Sequence, residues 1–415
     1  MPYSPAPETA HFLETTGGAS AVVVARPGAR VTALSIRLSV GSFDDPEGRN
    51  GTTHLVEHLL YGPNPGSQGG SFQVVEHMGG FANARTSAEH TNFYAAVPAG
   101  LSSKLFAREA DRMTDTLDWL TSASLEHEKN VVLNEIRQRR GRKELLAAQE
   151  HVMSSWYGPG APASFLSMGT PSHLQRIEPE SCVAFLEHRY RRARVAVSAV
   201  GDVEPEQMSA LAESLGTRFD GSSASAAERL PINPGPRCVA AHSVDGGERA
   251  VLGVPLPAYK IHSFEHLRLA TLLFAGNDRS DRLRQSIVPK CVATVRAKLL
   301  PRSRTHSIGL IELVPDSGSD ARHAVASFDL ALRQLADAPD LEDRIERVWP
   351  TYRTEWLQGD DDPVGLANGL SHALLTGDEA AYLEWPDTPM PGAEEIRGAL
   401  QTWQRGERCE ILFAP

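Results

Sequence analysis

Cysteine is scarce in this chain, and the few cysteines that occur have no regular spacing. Four are present among 415 residues, at positions Cys182, Cys238, Cys291 and Cys409. Their wide separation excludes a zinc site built from closely spaced thiolates, because such sites bring cysteines in pairs. We therefore expect small buried side chains in a reducing compartment.

An excess of positive charge and long apolar runs are also missing. The net charge of −11 at pH 7 argues against a surface for nucleic acids or anionic membranes. No apolar run reaches the length of a membrane span, and the N-terminus lacks the basic and apolar regions of a secretory signal. We therefore expect a cytoplasmic protein without a membrane partner. The length predicts two or more domains, and the hydrophobic content of 41% is that of a globular chain.

Residues 54–58 read His-Leu-Val-Glu-His and form the chain's strongest chemical motif. In a helix, His54 and His58 share one face, so their imidazoles can bind one Zn²⁺. Glu57 lies about 100° around such a helix from His58. Its carboxylate can therefore reach a water molecule without binding the metal. The order His-x-x-Glu-His is the inverse of the commoner zinc-peptidase motif.

The residues around this motif support a helix. Thr52 or Thr53 is predicted to cap its start, and Gly62 and Pro63 are predicted to end it. Its apolar side would consist of Leu55, Val56, Leu59 and Leu60.

A zinc peptidase needs a third protein ligand and leaves the fourth position for water. The stretch 125–136 offers two acidic candidates, Glu128 and Glu135. They are seven residues apart, so both lie on one face of a helix.

A second copy of the motif occurs at His262-Ser-Phe-Glu265-His266. Pro255 and Pro257 lie just upstream of it, and no pair of glutamates follows it at the matching distance. We interpret this copy as the start of a surface helix and the first copy as the metal site.

The first motif together with the downstream glutamates resembles the pitrilysin, insulin-degrading and mitochondrial-processing-peptidase family. The family motif is His-x-x-Glu-His followed, after a fixed gap, by Glu-x₆-Glu. The resemblance implies that His54, His58 and Glu135 bind Zn²⁺ and that Glu57 is the general base. It implies that Glu128 contacts a ligand and not the metal.

The segment Gly79–Thr86 matches a family stretch Gly-Gly-x-x-Asn-Ala-x-Thr. From the residues alone, a hairpin with glycine at its turn is predicted. The resemblance implies an edge strand beside the metal, to which an extended substrate adds by backbone hydrogen bonds. The substrate-binding residues would be Asn83, Ala84 and Thr86.

The order of predicted elements repeats after a Ser-, Ala-, Pro- and Gly-rich segment at 221–236. We therefore predict an α+β fold of two similar halves, each an antiparallel-rich sheet packed with helices. Residues 1–220 would form the zinc-binding half, 221–236 the linker and 237–415 the second half. The resemblance implies the same organisation, with halves that descend from a duplication and metal only in the first.

One departure from the family concerns its substrate-contacting Arg and Tyr, which lie seven residues apart in the second half after a Ser-x-Arg-Leu segment. Here Ser280–Leu283 marks the place, and counting onward puts Val288 and Val295 at the two positions. Neither side chain can donate a hydrogen bond. Arg284 and Arg296 lie nearby, but neither is followed by Tyr at the right distance.

These observations together predict the metal-bearing subunit of a heterodimeric zinc endopeptidase. Its partner would be a homologous subunit that carries the Arg/Tyr pair, and its substrates would be short or unstructured peptides. Turnover peptides and leader segments of ribosomally made natural products both fit. Two alternatives stay open, a self-sufficient homodimeric or monomeric peptidase and a non-catalytic scaffold subunit.

Overall fold

A computed structural model describes residues 9–13, 15, 17–62, 70–140, 144–222, 233, 237–242, 247–275, 291–302, 306–404 and 406–414. The chain divides into two compact units. The first unit comprises 1–138, 165–229 and 358–382, and the second comprises 139–164, 230–357 and 383–415. Val288, Arg284 and the Ser280–Leu283 segment lie outside the described residues.

The strands in the described residues are β1 (Thr9–Leu13), β2 (Ala19–Ala25), β3 (Val31–Leu38), β4 (Phe81–Thr86), β5 (Thr91–Pro98), β6 (Val195–Gly201), β7 (Arg237–His242), β8 (Arg249–Pro257), β9 (Val292–Leu300), β10 (His306–Pro315) and β11 (Cys409–Ala414).

The α-helices in the same residues are α1 (Thr52–Tyr61), α2 (Ser71–His77), α3 (Ser102–Met113), α4 (Ser122–Arg140), α5 (Glu144–Tyr157), α6 (Pro171–Leu174), α7 (Pro179–Phe185), α8 (Pro205–Arg218), α9 (Ile261–Phe274), α10 (Ala321–Ala336), α11 (Leu341–Asp361), α12 (Pro363–Thr376), α13 (Glu379–Glu384) and α14 (Ala393–Trp403). None is long and apolar enough to cross a membrane.

The two units contain sheets of the same topology. The first sheet runs β1-β2-β6-β3-β5-β4, and the second runs β7-β11-β8-β10-β9. When β1 is left aside, the strands that come first and last along the chain are paired in parallel in each sheet, β2 with β6 and β7 with β11. All other pairs are antiparallel. The helices correspond by order as well, since α1 follows the second strand of its sheet just as α9 does. The predicted α+β fold with two similar halves is confirmed.

The first sheet is covered on both faces, as the burial of nearly all side chains of its strand β3 shows. Its apolar row, which includes Leu34 and Ile36, belongs to the same core as Leu55 and Leu59 of α1. The predicted apolar side of the metal-motif helix therefore packs on this sheet, which fixes the direction that the opposite side of α1 faces.

A polar layer covers the other face of the first sheet and connects it to α12. The Ser371 hydroxyl lies 2.9 Å from the Ser35 hydroxyl and accepts a hydrogen bond from Arg37 Nε at 3.1 Å. The Asn92 side chain donates to the Asn368 side chain at 2.8 Å. Because buried polar groups must be paired, these bonds fix how α12 lies on the sheet.

The compact units differ from the predicted division at 221–236, because each takes one helix from the other half of the sequence. Helix α12 packs on the first sheet, and α5 packs on the second. A Cβ atom at Gly253 on β8 would lie 2.4 Å from Val152 of α5, so this glycine allows the close approach of that helix. The boundaries 1–220 and 237–415 stay a prediction about the duplicated halves.

The sequence pattern also predicts two helices, over about 99–120 and about 125–149, and both end earlier in the structure. The helix predicted over 99–120 stops at Met113. There the Asp115 carboxylate accepts hydrogen bonds from Leu117 N at 2.8 Å and from the indole of Trp119 at 3.1 Å. These bonds stabilise a turn in place of further helix. The helix predicted over 125–149 is α4, which ends at Arg140, followed by α5.

The predicted glycine turn of the first hairpin was also wrong. Gly79 and Gly80 precede β4, whereas the turn between β4 and β5 is formed by Ser87–His90. Ser87 N donates to His90 O at 2.9 Å, and the Ser87 hydroxyl donates to the same carbonyl. The hydrogen bond from the Ser87 hydroxyl to the His90 carbonyl therefore stabilises this turn without glycine.

Candidate metal centre

Helix α1 begins on a carboxylate from the preceding loop. Gly51 precedes the helix with φ of 98°, a left-handed conformation that favours glycine. The Asp45 carboxylate accepts hydrogen bonds from Gly51 N at 2.7 Å, Thr53 N at 2.8 Å and the Thr53 hydroxyl at 2.6 Å. The predicted cap at Thr52 or Thr53 was therefore wrong, because the threonine donates and Asp45 accepts.

Asp45 holds the first turn of α1 in place from a buried position. Burial raises the pKa of its carboxyl to about 7, although the hydrogen bonds from Thr53 and Gly51 act in the opposite direction. The signal in the sequence was the polar loop at Asp44 and Asp45, but a contact across eight residues depends on the turn at Gly51.

Replacing Asp45 by Ala is expected to lower the free energy of unfolding by about 2 kcal/mol, since it removes a cap and leaves buried donors unpaired. The measurement is urea denaturation of the wild type and the variant in the same buffer. Asp111→Ala, at an exposed position in α3, is the matched control and is expected to change stability by less than about 0.5 kcal/mol. Equal losses in both variants would contradict a capping role for Asp45.

The three predicted ligand residues lie together. Ligand atoms of His54, His58 and Glu135 are all within 4.8 Å of one another. Nε2 of His54 lies 3.8 Å from Glu135 Oε2, and Nε2 of His58 lies 3.7 Å from Glu135 Oε1. The two imidazole rings are 4.8 Å apart, as the shared face of a helix predicts. Glu135 reaches them from α4.

Glu128 faces the other nitrogen of the same imidazole. Its Oε2 lies 3.4 Å from Nδ1 of His58, on the side of the ring away from Glu135. Burial alone would lower the pKa of His58. The Glu128 hydrogen bond and the charges of Glu57 and Glu135 together outweigh burial, so the pKa is raised above its ordinary value. A carboxylate in this position selects the tautomer that leaves Nε2 able to bind a cation.

Glu57 is buried on α1 beside the ligand group, and its carboxylate accepts a hydrogen bond from the hydroxyl of Thr86 on β4. Thr86 was predicted to bind substrate, yet its hydroxyl contacts Glu57. No local pattern connects the two, because they lie on separate elements. The contact orients the Glu57 carboxylate relative to the edge strand.

The other two predicted substrate residues lie in β4, at the edge of the sheet. The Asn83 side chain is exposed and its Oδ1 accepts a hydrogen bond from Ala84 N at 2.8 Å. The Tyr61 hydroxyl at the end of α1 donates to the Asn83 carbonyl at 3.1 Å. The metal-motif helix is thus joined to the edge strand through Thr86 at one end and Asn83 towards the other.

The donor set suits a divalent zinc ion. Two imidazole nitrogens and one carboxylate oxygen form the ligand combination of many catalytic zinc sites, which keep one position open. Within the described residues, this is the only group of three or more His, Cys, Asp or Glu side chains close enough to hold a metal ion. His77 and His90 are not part of it.

The second copy of the motif lies on α9, the counterpart of α1 by order, and its glutamate is buried. Glu265 accepts hydrogen bonds from the Tyr352 hydroxyl at 2.6 Å and from Arg268 at 3.3 Å. His262 and His266 pack against the ring of Trp385, at 5.2 and 6.0 Å. The predicted surface helix start describes the exposed His262 but was wrong for Glu265, which pairs with Tyr352 of α11.

At the position predicted to lack the family's Tyr, Val295 is buried in β9 and pairs with Leu313 of β10. Arg296 faces the other side of the strand and forms an ion pair with Glu312 at 3.1 Å. Val295 thus has no side-chain donor, and Arg296 is held by its ion pair with Glu312.

Comparisons with known proteins give the same family as the sequence motif. Residues 21–163 match the family model described as Insulinase (Peptidase family M16). The chain is 25% identical over 214 residues to the mitochondrial-processing peptidase subunit beta of Caenorhabditis elegans, which covers 50% of this chain and 44% of that protein. It is 29% identical over 280 residues to an uncharacterized zinc protease of Mycobacterium leprae, covering 65% of this chain and 61% of that protein.

The chain thus spans about half of the length of these curated relatives. Among solved structures, a protease from Helicobacter pylori matches 98% of this chain and 100% of its own, with a TM-score of 0.83 and 15% identity. At that identity the likeness concerns the fold. The predicted resemblance to this family is confirmed, since residues 21–163 match its model.

Proposed function

We propose that this protein is a zinc-dependent endopeptidase subunit that hydrolyses short or unstructured peptides. The observation that carries the proposal is the convergence of His54, His58 and Glu135 with a buried glutamate, Glu57, on the same helix. A non-catalytic scaffold would have no need of a base beside a complete ligand set.

The residues have distinct roles in the proposed reaction. His54, His58 and Glu135 would hold Zn²⁺, which when bound lowers the pKa of a water molecule and polarises a peptide carbonyl. Glu57 accepts the proton of the attacking water and then gives it to the leaving amine. Thr86 orients the Glu57 carboxylate through its hydroxyl, and Glu128 orients the His58 ring.

The edge strand β4 is the proposed substrate platform. An extended peptide can pair with an unpaired strand edge through backbone hydrogen bonds, which read the extended shape of the chain. Folded proteins cannot present such a segment, so short or unstructured peptides are the proposed substrates. Ala84 and Thr86 would contribute backbone groups to this pairing, and Asn83 would contact the peptide through its exposed side chain.

A homologous partner subunit is proposed because the described candidate positions of the second unit do not provide the family's Arg/Tyr pair. Val295 is buried and apolar, and Arg296 is paired with Glu312. One curated relative is itself named a subunit of a processing peptidase. A self-sufficient peptidase is the second candidate, supported by the complete ligand and base set in one chain.

The metal assignment has a direct test. His54→Ala and Glu135→Ala are each expected to reduce zinc from one ion per chain to nearly none, because losing one of three ligands opens the site. Zinc is measured by elemental analysis after dialysis. His262→Ala and His266→Ala are the matched controls from the second motif and are expected to keep full zinc. Full zinc in His54→Ala, or its loss in His262→Ala, would refute the assignment.

A further inference from the structure

The edge strand β4 carries two rows of side chains that face opposite ways, because side chains alternate along a strand. One row, Ala82 and Thr86, is buried, and its Thr86 contacts Glu57 on α1. The other row is exposed and consists of Phe81, Asn83 and Arg85. A peptide that pairs with β4 continues the pleat, so half of its side chains lie beside the exposed row.

Arg85 is a cation without a partner in this row. No hydrogen bond or ion pair joins its guanidinium to another residue in the part of the chain that the structure describes. Its neighbour on β5 is Asn92, whose side chain is already bonded to Ser35 and Asn368. An exposed guanidinium that no described residue neutralises is available to a carboxylate on an incoming strand.

Arg85 also lies at the end of β4 that is nearest to the catalytic groups. It directly precedes Thr86, which contacts Glu57. One residue of a strand spans about 3.3 Å, so a substrate side chain opposite Arg85 lies within a residue or two of the reacting peptide bond.

The other end of the row is aromatic. Phe81 is 49% exposed, and its ring lies 6.1 Å from that of Tyr94 on β5. Phe81 lies four positions before Arg85 along the strand, a distance of about 13 Å. The exposed row therefore runs from an apolar surface to a positive charge near the catalytic groups.

We propose that Arg85 is a specificity-determining residue that selects peptides with an acidic side chain beside the scissile bond. Phe81 adds a preference for an aromatic or apolar side chain four residues away. The inference rests on the proposed peptidase function. Opposite charges across paired strands stabilise the pairing and like charges weaken it. The protein's net charge of −11 repels acidic peptides in general, so a preference for an acidic side chain must come from the contact with Arg85 itself.

The test uses the full-length Glu57→Gln protein supplied with zinc, which is expected to bind peptides without cutting them. Unstructured peptides carry a fluorophore at the N-terminus and an amide at the C-terminus, so that the only variable carboxylate is a side chain. One position is Glu, Gln or Lys, and it is moved along the peptide. Binding is measured by fluorescence anisotropy.

In one register, the Glu peptide is expected to bind about three- to tenfold more tightly than the Lys peptide. A further Arg85→Gln change is expected to remove this difference, and Arg85→Glu to reverse it. In the same register, Phe81→Ala is expected to weaken peptides with Phe four residues from the Glu and to leave those with Ser there unchanged.

Arg30→Glu is the matched control, since Arg30 is exposed between β2 and β3 and its reversal changes the net charge equally. An unchanged preference in Arg85→Glu, or an equal reversal in Arg30→Glu, overturns the inference. If the protein binds the Gln peptides and holds zinc but shows no preference in any register, only the role of Arg85 is wrong. If it holds no zinc and binds no peptide, the proposed function fails and the inference fails with it.

Discussion

Glu57→Gln is expected to keep one zinc per chain and to lower peptide cleavage by at least about 10²-fold, the range that general acid–base catalysis contributes. Glutamine keeps the shape of the side chain and can still accept the Thr86 hydrogen bond, but it cannot take up a proton. Because Glu57 is not among the three clustered ligand residues, its replacement leaves the proposed metal site intact. The measurement is cleavage of unstructured peptides together with zinc analysis of the same sample.

The matched control for this prediction is Glu265→Gln, which makes the same change at the same place in the second motif. Glu265 accepts hydrogen bonds from Tyr352 and Arg268, and glutamine can accept both. Cleavage within about threefold of the wild type is expected. Wild-type cleavage by Glu57→Gln would remove it from the proposed mechanism, and loss of zinc in that variant would mean that it acts through the metal site.

The second large effect concerns the partner. Alone, the chain is expected to cleave peptides poorly, and adding a homologous subunit that carries the Arg/Tyr pair is expected to raise the rate about 10³-fold. The reason is that each donor to the developing oxyanion contributes about 10²- to 10³-fold, and Val295 can supply none. The measurement is cleavage of a library of unstructured peptides by the purified chain, with and without the homologue.

The control for the partner experiment is the homologue with both its Arg and its Tyr replaced by residues without donors. This variant should still associate, as shown by gel filtration, but should not restore cleavage. High activity of the chain alone, unchanged by either homologue, would favour the self-sufficient peptidase. Zinc binding without cleavage in every combination would favour the scaffold subunit.

Local patterns in the sequence predict most of the elements around the site. Four-residue spacing placed His54 and His58 on one helical face, and Gly62 does end α1. The sequence also predicts strands over 195–200 and near 292–300, and the structure has them as Val195–Gly201 and Val292–Leu300. These features depend on neighbours in sequence, so the pattern is enough to predict them.

Features that depend on contacts between distant segments could not be predicted in this way. The Asp45 cap needs the turn at Gly51, and the Thr86–Glu57 contact needs both the sheet register and the position of α1. The buried Glu265 depends on Tyr352, which is distant in sequence. Nothing in the composition of α12 shows on which sheet it packs, because its partners Ser35 and Arg37 lie more than 300 residues away.

The second His-x-x-Glu-His copy lies on α9, the helix that corresponds to α1 by its place in the element order. Both helices follow the second strand of a five-strand pattern with the same order, so the two copies occupy matching places in the two units. In the second copy, Glu265 is buried, and Arg268 supplies the positive charge that neutralises its carboxylate. The same five-residue motif thus lies in the proposed metal site of one unit and in the hydrogen-bonded interior of the other.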